Sequence, residues 1–433
     1  MKAAGRLSAL VVGVSGLASA GLFVVSASAQ RLDPKRPETL VVGAPRGPSP
    51  TDRVDGQRSG FSRFPLPNGA LRVSWRRAFG QATEFAPLSL ADGETAVVVG
   101  RGELVILADD GTERWRTLLA STAASTPTQL SDGTVVVVTS GGEAVGVRRG
   151  VIRFRTRLSG DRSVGGHVSA LSLEDGGVVV ATATELTALD ADGGVRARAS
   201  IPEPMATPLV GALGKVIAIT ATGVVYGWAP GRDPQRLGTF GGPVDGGATL
   251  ADSHTLIAVV DATRLAVLDL AHGVVVSRAV APSGAYLGPP SVRGDTAFVL
   301  GQSGGRTFTV AIDPSGQEVT RTLVATSPPV LLADGGTATF TPSAHTGTLI
   351  DAAGTIAFAG PEGRLGVVTA SGTVETLSES LCARSSNASK GLGTIAAIAP
   401  ASRAHGESGA MLAICDNGGI VKVASGSDGS ASP

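Results

Sequence analysis

The sequence is poor in the residues that most often carry chemistry. Its 433 residues include 2 Cys, 5 His, 3 Met and 3 Trp, and aromatic residues make up 4%. Two cysteines exclude a disulfide-dense scaffold and most thiolate metal sites. Charge is scarce and balanced: 17% of residues are charged, and 36 basic side chains offset 36 acidic ones. A chain without net charge has no broad field to gather a polyanion, so no nucleic-acid partner is expected. His167, His254, His272, His345 and His405 are scattered without H-E-x-x-H or i,i+4 spacing, so turn and surface roles are expected of them. No G-K-[ST] or G-x-G-x-x-G joins a strand to a helix, which removes the usual phosphate loops. Long helical periodicity is also missing. Val, Thr and 60 Gly are abundant instead, which leans toward an all-β chain.

One long apolar run is present, at the N-terminus. Lys2 and Arg6 precede Leu7 to Val25, and Ser26-Ala27-Ser28-Ala29 follow. A basic start, an apolar stretch and an A-x-A site predict an export signal over residues 1–29, cleaved after Ala29, with a retained membrane anchor as the competing reading. No Cys lies at the cleavage point, so a lipid-modified N-terminus is not supported. The mature chain is expected to be soluble and monomeric, in the periplasm, cell envelope or extracellular space. Residues 30–70, rich in Pro, Arg, Asp and Gly, read as a flexible linker, and 425–433 as a disordered tail.

Between these ends one unit repeats. Ala86-Pro87-Leu88-Ser89-Leu90-Ala91-Asp92-Gly93 aligns with Thr126-Pro127-Thr128-Gln129-Leu130-Ser131-Asp132-Gly133. Further copies begin at Ser169, Thr207, Gly247, Gly288 and Pro328, at a period of roughly 40 residues. Each holds a short apolar strand, an Asp-Gly turn and a β-branched run such as Thr134-Val135-Val136-Val137-Val138. Another strand and a last one of alternating charge, such as Val151-Ile152-Arg153-Phe154-Arg155, complete it. Inner strands apolar on both faces and an outer strand wet on one describe a propeller blade. Seven units begin near Glu84, Ser125, His167, Ala206, Gly246, Gly288 and Ser327, and Gly363 to Ala424 supplies more strands. Leu71 to Arg77 has the alternation of an outermost strand. The expectation over 71–424 is therefore an all-β, eight-bladed β-propeller of four-stranded antiparallel sheets, its ring closed by this N-terminal strand; seven blades is the runner-up.

The unit Ala108-Asp109-Asp110-Gly111-Thr112-Glu113-Arg114-Trp115 resembles the tryptophan-docking repeat of quinoprotein-like (PQQ-type) β-propellers, the superfamily that includes the BamB-type non-catalytic propellers. The Gly-to-aromatic step recurs at Gly150 to Phe154 and Gly354 to Phe358, and is lost around Gly193, Gly273 and Gly316. The resemblance implies that Trp115, Phe154 and Phe358 wedge between blades, and Trp75 sits in the proposed closing strand. Enzymes of that superfamily carry an adjacent Cys-Cys pair and calcium ligands. Here Cys382 and Cys415 stand apart and are expected to form one structural disulfide. Asp190-Ala191-Asp192-Gly193 lacks the later Glu of a calcium loop and reads as a hairpin turn. Gly301-Gln302-Ser303-Gly304-Gly305 spells a nucleophile elbow, but a strand rather than a helix follows it. Arg153, Arg155 and Arg157 share one face of a solvated outer strand. No catalytic, cofactor-binding or metal residue is assigned. The expected function is a non-enzymatic module for protein interaction or scaffolding, with protein partners, no cofactor, and membrane contact only if the N-terminal segment is retained. The alternatives are a divergent quinoprotein dehydrogenase or other propeller enzyme, and a BamB-like assembly factor.

Overall fold

The computed structural model describes residues 48–49, 51–79, 85–100, 102–158, 169–212, 214–281, 284–326, 330–331, 337–338, 347–360, 363–382, 394–402 and 408–425. The expected signal segment, the tail beyond 425, and His167, His345 and His405 lie outside the described residues.

Eight antiparallel sheets follow one another along the chain, each with its first strand innermost, and close into a ring. Blade 1 comprises Leu88–Ser89, Thr95–Val99, Glu103–Leu107 and Glu113–Leu118. Blades 2 to 6 repeat that order, with innermost strands at Thr128–Gln129, Ser169–Ser172, Val210–Ala212, Val244–Leu250 and Ala285–Arg293. Blade 7 comprises Thr348–Asp351, Ile356–Ala359, Leu365–Val368 and Val374–Thr376, with Phe61–Ser62 added in parallel on its inner side. Blade 8 comprises Ile395–Pro400, Ala410–Cys415 and Gly419–Ser425, and its outermost strand is Leu71–Ala78 from the N-terminal side. The eight-blade expectation and its N-terminal closing strand both hold.

Strand pleating explains the continuous apolar runs. Successive side chains alternate faces, and in a blade each face meets a different neighbour. Val135 and Val137 pack toward blade 1, whereas Val136 and Val138 pack toward blade 3. Ala96 and Val98 face blade 2, whereas Val97 and Val99 face blade 8. The buried apolar residues accordingly form eight clusters, one at each interface between neighbouring blades. Outermost strands are wet and carry ion pairs that repeat from blade to blade: Glu103–Arg116, Glu143–Arg155 and Glu185–Arg198. Seven of the eight outermost strands bear a register shift, which blunts their open edges.

The docking aromatics reach from one blade to the turn of the next. The Trp75 ring lies against Gly111, Trp115 against Gly150, and Phe154 against Gly193, where an added Cβ would meet the ring. These glycines have φ of +80°, +79° and +85°, so the turn favours glycine at all three, and the close approach of the ring requires it at Gly111 and Gly193 as well. Two residues beyond each of the last two aromatics, Thr117 donates to Gly150 O at 2.9 Å and Thr156 to Gly193 O at 2.5 Å. Phe358 too lies between blades. It is fully buried at the blade 6–7 interface, but on the second strand of blade 7, where it covers Gly366. Cys382 and Cys415 form the expected disulfide, with a Cα–Cα distance of 5.4 Å, joining the exit of blade 7 to blade 8.

Two sequence expectations need correction. The unit beginning near Ser327 is not the inner strand of blade 7. Val330–Leu331 pairs with Thr337–Ala338 as a separate two-stranded sheet, and blade 7 begins at Thr348. An apolar strand with an Asp-Gly turn specifies a hairpin and says nothing about the blade it joins. Likewise, the linker assigned to residues 30–70 does not hold for 51–66. Thr51, Arg53, Val54, Gln57, Arg58, Ser59, Phe61, Ser62 and Leu66 are buried. The polar composition that suggests a solvated stalk here serves buried hydrogen bonds.

The seam between blades 8 and 1 converges on one turn. Trp75 Nε1 donates to Asp109 O at 2.7 Å, and Lys422, 2% exposed, places Nζ 2.6 Å from Asp109 Oδ1. Trp75→Ala is expected to cost about 3 kcal/mol, and Trp75→Phe, which keeps the ring contact and loses the hydrogen bond, about 1 kcal/mol. Urea unfolding midpoints measure both; a Trp75→Phe midpoint equal to that of the wild type would remove the hydrogen bond's contribution, and equal midpoints for the two variants would remove that of the ring contact.

Candidate functional site: the filled axial channel

Innermost strands turn backbone groups toward the ring axis, where no further strand of their own blade can pair with them. The N-terminal arm supplies the partners. Ser49 exchanges two backbone hydrogen bonds with Ser89 of blade 1, at 3.0 and 2.9 Å. Thr51 and Thr128 of blade 2 share a hydroxyl contact of 3.0 Å. Gly211, Leu250, Val292 and Ile350, in blades 4 to 7, donate their N–H groups to the carbonyls of Gly56, Gln57, Ser59 and Gly60 at 2.6–3.0 Å. Val54 and Leu66 pack into the cluster between blades 7 and 8, and Leu66 N donates to Asp351 Oδ2 at 2.9 Å.

Two arginines anchor the arm. Arg53 donates from Nη1 to Thr348 O at 2.9 Å and from Nη2 to Pro290 O at 2.6 Å. Gly60 and Gly347 wall this side chain, and a Cβ at either would collide with its guanidinium. Arg58 reaches the other way, from Nε to Leu209 O at 3.0 Å and from Nη2 to Ala170 O at 3.3 Å, while Nη1 donates to Thr51 Oγ1 and Asp52 O. The guanidiniums thus bind carbonyls of blades 3, 4, 6 and 7. Burial pulls Arg53 down to about 10 and lowers Arg58 as well, with Asp52 and Asp55 opposing both shifts. Asp55 folds the arm back on itself by accepting from Ser59 N at 3.0 Å and Ser59 Oγ at 2.5 Å. Its burial nevertheless holds its carboxyl above the usual carboxylate range. The Gln57 carboxamide is fully buried, and neither its oxygen nor its nitrogen has a hydrogen-bond partner; the same is true of Arg53 Nε.

None of these residues was singled out from the sequence. The one signal was a pair of arginines five residues apart among Asp, Ser and Gly, which is equally the signature of a solvated tail. The singled-out residues lie elsewhere: Trp75, Trp115 and Phe154 on outermost strands, Phe358 inside blade 7, and Cys382 and Cys415 between blades 7 and 8. The Asp190 carboxylate accepts the backbone N–H groups of Asp192 and Gly194, which is turn geometry. Ser303 ends one strand and Arg306 begins the next, so G-x-S-x-G is a hairpin. His254 contacts Ser253, and His272 contacts Asp269.

A family model described as outer membrane protein assembly factor BamB matches residues 69–236. Among solved structures, BamB from Moraxella catarrhalis is 17% identical, with a TM-score of 0.58, covering 82% of this chain and 98% of its own. The quinohemoprotein alcohol dehydrogenase from Comamonas testosteroni is 11% identical, with a TM-score of 0.64, covering 87% of this chain and 80% of its own. The chain is an eight-bladed β-propeller, and residues 69–236 of it match that family model. The computationally designed Ika8 protein shares the fold at 12% identity, with a TM-score of 0.58, covering 80% of this chain and 97% of its own. No curated protein matches in sequence.

The residues present do not suit the quinone cofactor for which PQQ-type repeats are known. The channel axis holds the arm, the two cysteines bond to each other between blades, and no cluster of three or more His, Cys, Asp or Glu among the described residues is placed to hold a metal ion.

Arg58→Ala is expected to cost about 3 kcal/mol in urea unfolding at pH 7, since blade carbonyls and Asp52 lose their buried partner. Arg58→Lys should recover little, because an ammonium cannot fork to two blades. Asp55 gives a pH test. Its native pKa exceeds its unfolded value of 3.8, so its contribution is full below that value and is lost as pH rises through the native pKa. Asp55→Asn should therefore gain on the wild type as pH increases from 4 to 7. A stability difference that stays constant, or moves in favour of the wild type, between pH 4 and pH 7 would contradict the raised pKa of Asp55.

Proposed function

We propose that this propeller is an exported, non-catalytic module that binds protein partners. The observation that carries the reading is the filled channel: the arm's arginines and backbone are engaged in holding the ring together, which leaves the rim and loops as working surface. Export is supported by the N-terminal signal pattern and by the Cys382–Cys415 disulfide, since such bonds persist in oxidising compartments. The match of residues 69–236 to an assembly-factor family favours a role alongside other envelope proteins.

The purified mature chain, incubated with pyrroloquinoline quinone and Ca²⁺ and then desalted, should retain no cofactor absorbance and reduce no dye with alcohols or sugars. A retained chromophore would reverse the reading. Photocrosslinking residues at the exposed rim positions Val151, Val195 and Val274 should give discrete protein adducts in the producing cell. Absence of adducts from all three positions counts against a binding role for the rim.

A further inference from the structure

We propose that the axial channel is a binding site for an extended, arginine-bearing peptide, and that the arm around Arg53 and Arg58 occupies it as an intramolecular stand-in. The inference goes beyond the rim-binding reading above: it gives the channel an exchangeable occupant and names that occupant's chemistry.

The channel wall has the properties of a peptide receptor. Five of its N–H groups, on Ser89, Gly211, Leu250, Val292 and Ile350, are satisfied only by main-chain carbonyls of the arm. Main-chain recognition of this kind is indifferent to side chains and accepts any chain of suitable path. Phe61–Ser62 adds to Ile350–Asp351 as a parallel strand, which is strand addition at an inner edge. Selectivity comes from two carbonyl pairs, Thr348 and Pro290 around one guanidinium and Leu209 and Ala170 around the other. A planar fork of donors suits each pair; a lysine does not.

The resident arm is an imperfect occupant. Arg53, Val54 and Arg58 sit at φ of +56°, +79° and +55°, a region that non-glycine residues avoid and β-branched Val avoids most. The buried Gln57 carboxamide and Arg53 Nε have no partner. A wall that imposes three left-handed residues and leaves polar atoms unmet is not used to its limit. A peptide presenting the same two guanidiniums on an unstrained backbone has room to bind better. The arm's exit is exposed at Asn68 and Ala70, and open space surrounds Gly69, so the arm can leave while Leu71–Ala78 stays in blade 8.

The test uses the mature chain with a protease site inserted between Asn68 and Gly69. After cutting, a fluorescein-labelled synthetic peptide of residues 48–64 should exchange with the severed arm and bind saturably. A scrambled peptide of equal charge, and one with Arg53 and Arg58 replaced by alanine, should bind at least tenfold more weakly. Failure to exchange while circular dichroism shows the ring folded, or equal binding of the three peptides, overturns the proposal. Should cutting unfold the ring, the uncut Arg53→Ala variant serves instead. The wild-type peptide should raise its unfolding temperature and the peptide lacking Arg53 and Arg58 should not; no shift with either overturns the proposal. Rim crosslinks without peptide exchange would leave the scaffold reading standing and remove this one.

Discussion

A sheet whose strands are apolar on both faces cannot stand in water, and it cannot be covered on one side only. Val136 and Val138 need blade 3 as much as Val135 and Val137 need blade 1. Each blade therefore requires two neighbours, and a row of such sheets has no stable end. Closure is the only arrangement in which every face is buried, and it places the apolar core in eight seams rather than at the centre. Small residues at the crowded positions, such as Ala96 and Ala144, let neighbouring sheets approach, while the docking aromatics fill the widening gap toward the rim.

Closing the ring creates a second problem at its axis. Innermost strands carry N–H and C=O groups with no strand beyond them, and an open channel would leave these to water. The N-terminal arm answers both needs with one stretch of chain. Its first part satisfies donors and carbonyls around the wall, and Leu71–Ala78 supplies the missing fourth strand of blade 8. Blade 8 therefore consists of both ends of the folded body, and the arm touches the remaining seven blades.

What could be read from the sequence follows the locality of the signals. Blades 1 and 2 were legible because a glycine turn is followed four residues later by an aromatic within the same unit, as at Gly111 and Trp115 and at Gly150 and Phe154. The family match over residues 69–236 covers those blades and runs on into the outermost strand of blade 4. Beyond it the glycine turns persist with other partners: Gly273 lies against Leu237, and Gly316 against the backbone of Arg278. The hairpin at Val330–Leu331 and Thr337–Ala338 misled the blade 7 boundary, because hairpin chemistry is local and blade membership is not. The arm was illegible for a stronger reason. Its sequence is that of a solvated tail, and only the assembled wall turns Arg53 and Arg58 into buried anchors.

This sharing of tasks ties the stability of the axis to that of the rim. Pairing Leu71–Ala78 with Gly419–Ser425 closes a loop of nearly the whole folded chain, at an entropic cost on the order of 5 kcal/mol. The strand's own hydrogen bonds and Trp75 repay part of that cost. The arm, fixed a few residues upstream by Leu66 and Asp351, holds the strand near its site and lowers what remains to be ordered. Conversely, an arm that leaves the channel relinquishes contacts on up to seven blades but none of those between the sheets themselves. The two halves of the N-terminal region are thus coupled through a short connection, yet separable in principle: the rim strand makes the ring, and the arm fills it. A channel whose filling is distinct from its construction is one whose occupant can be exchanged.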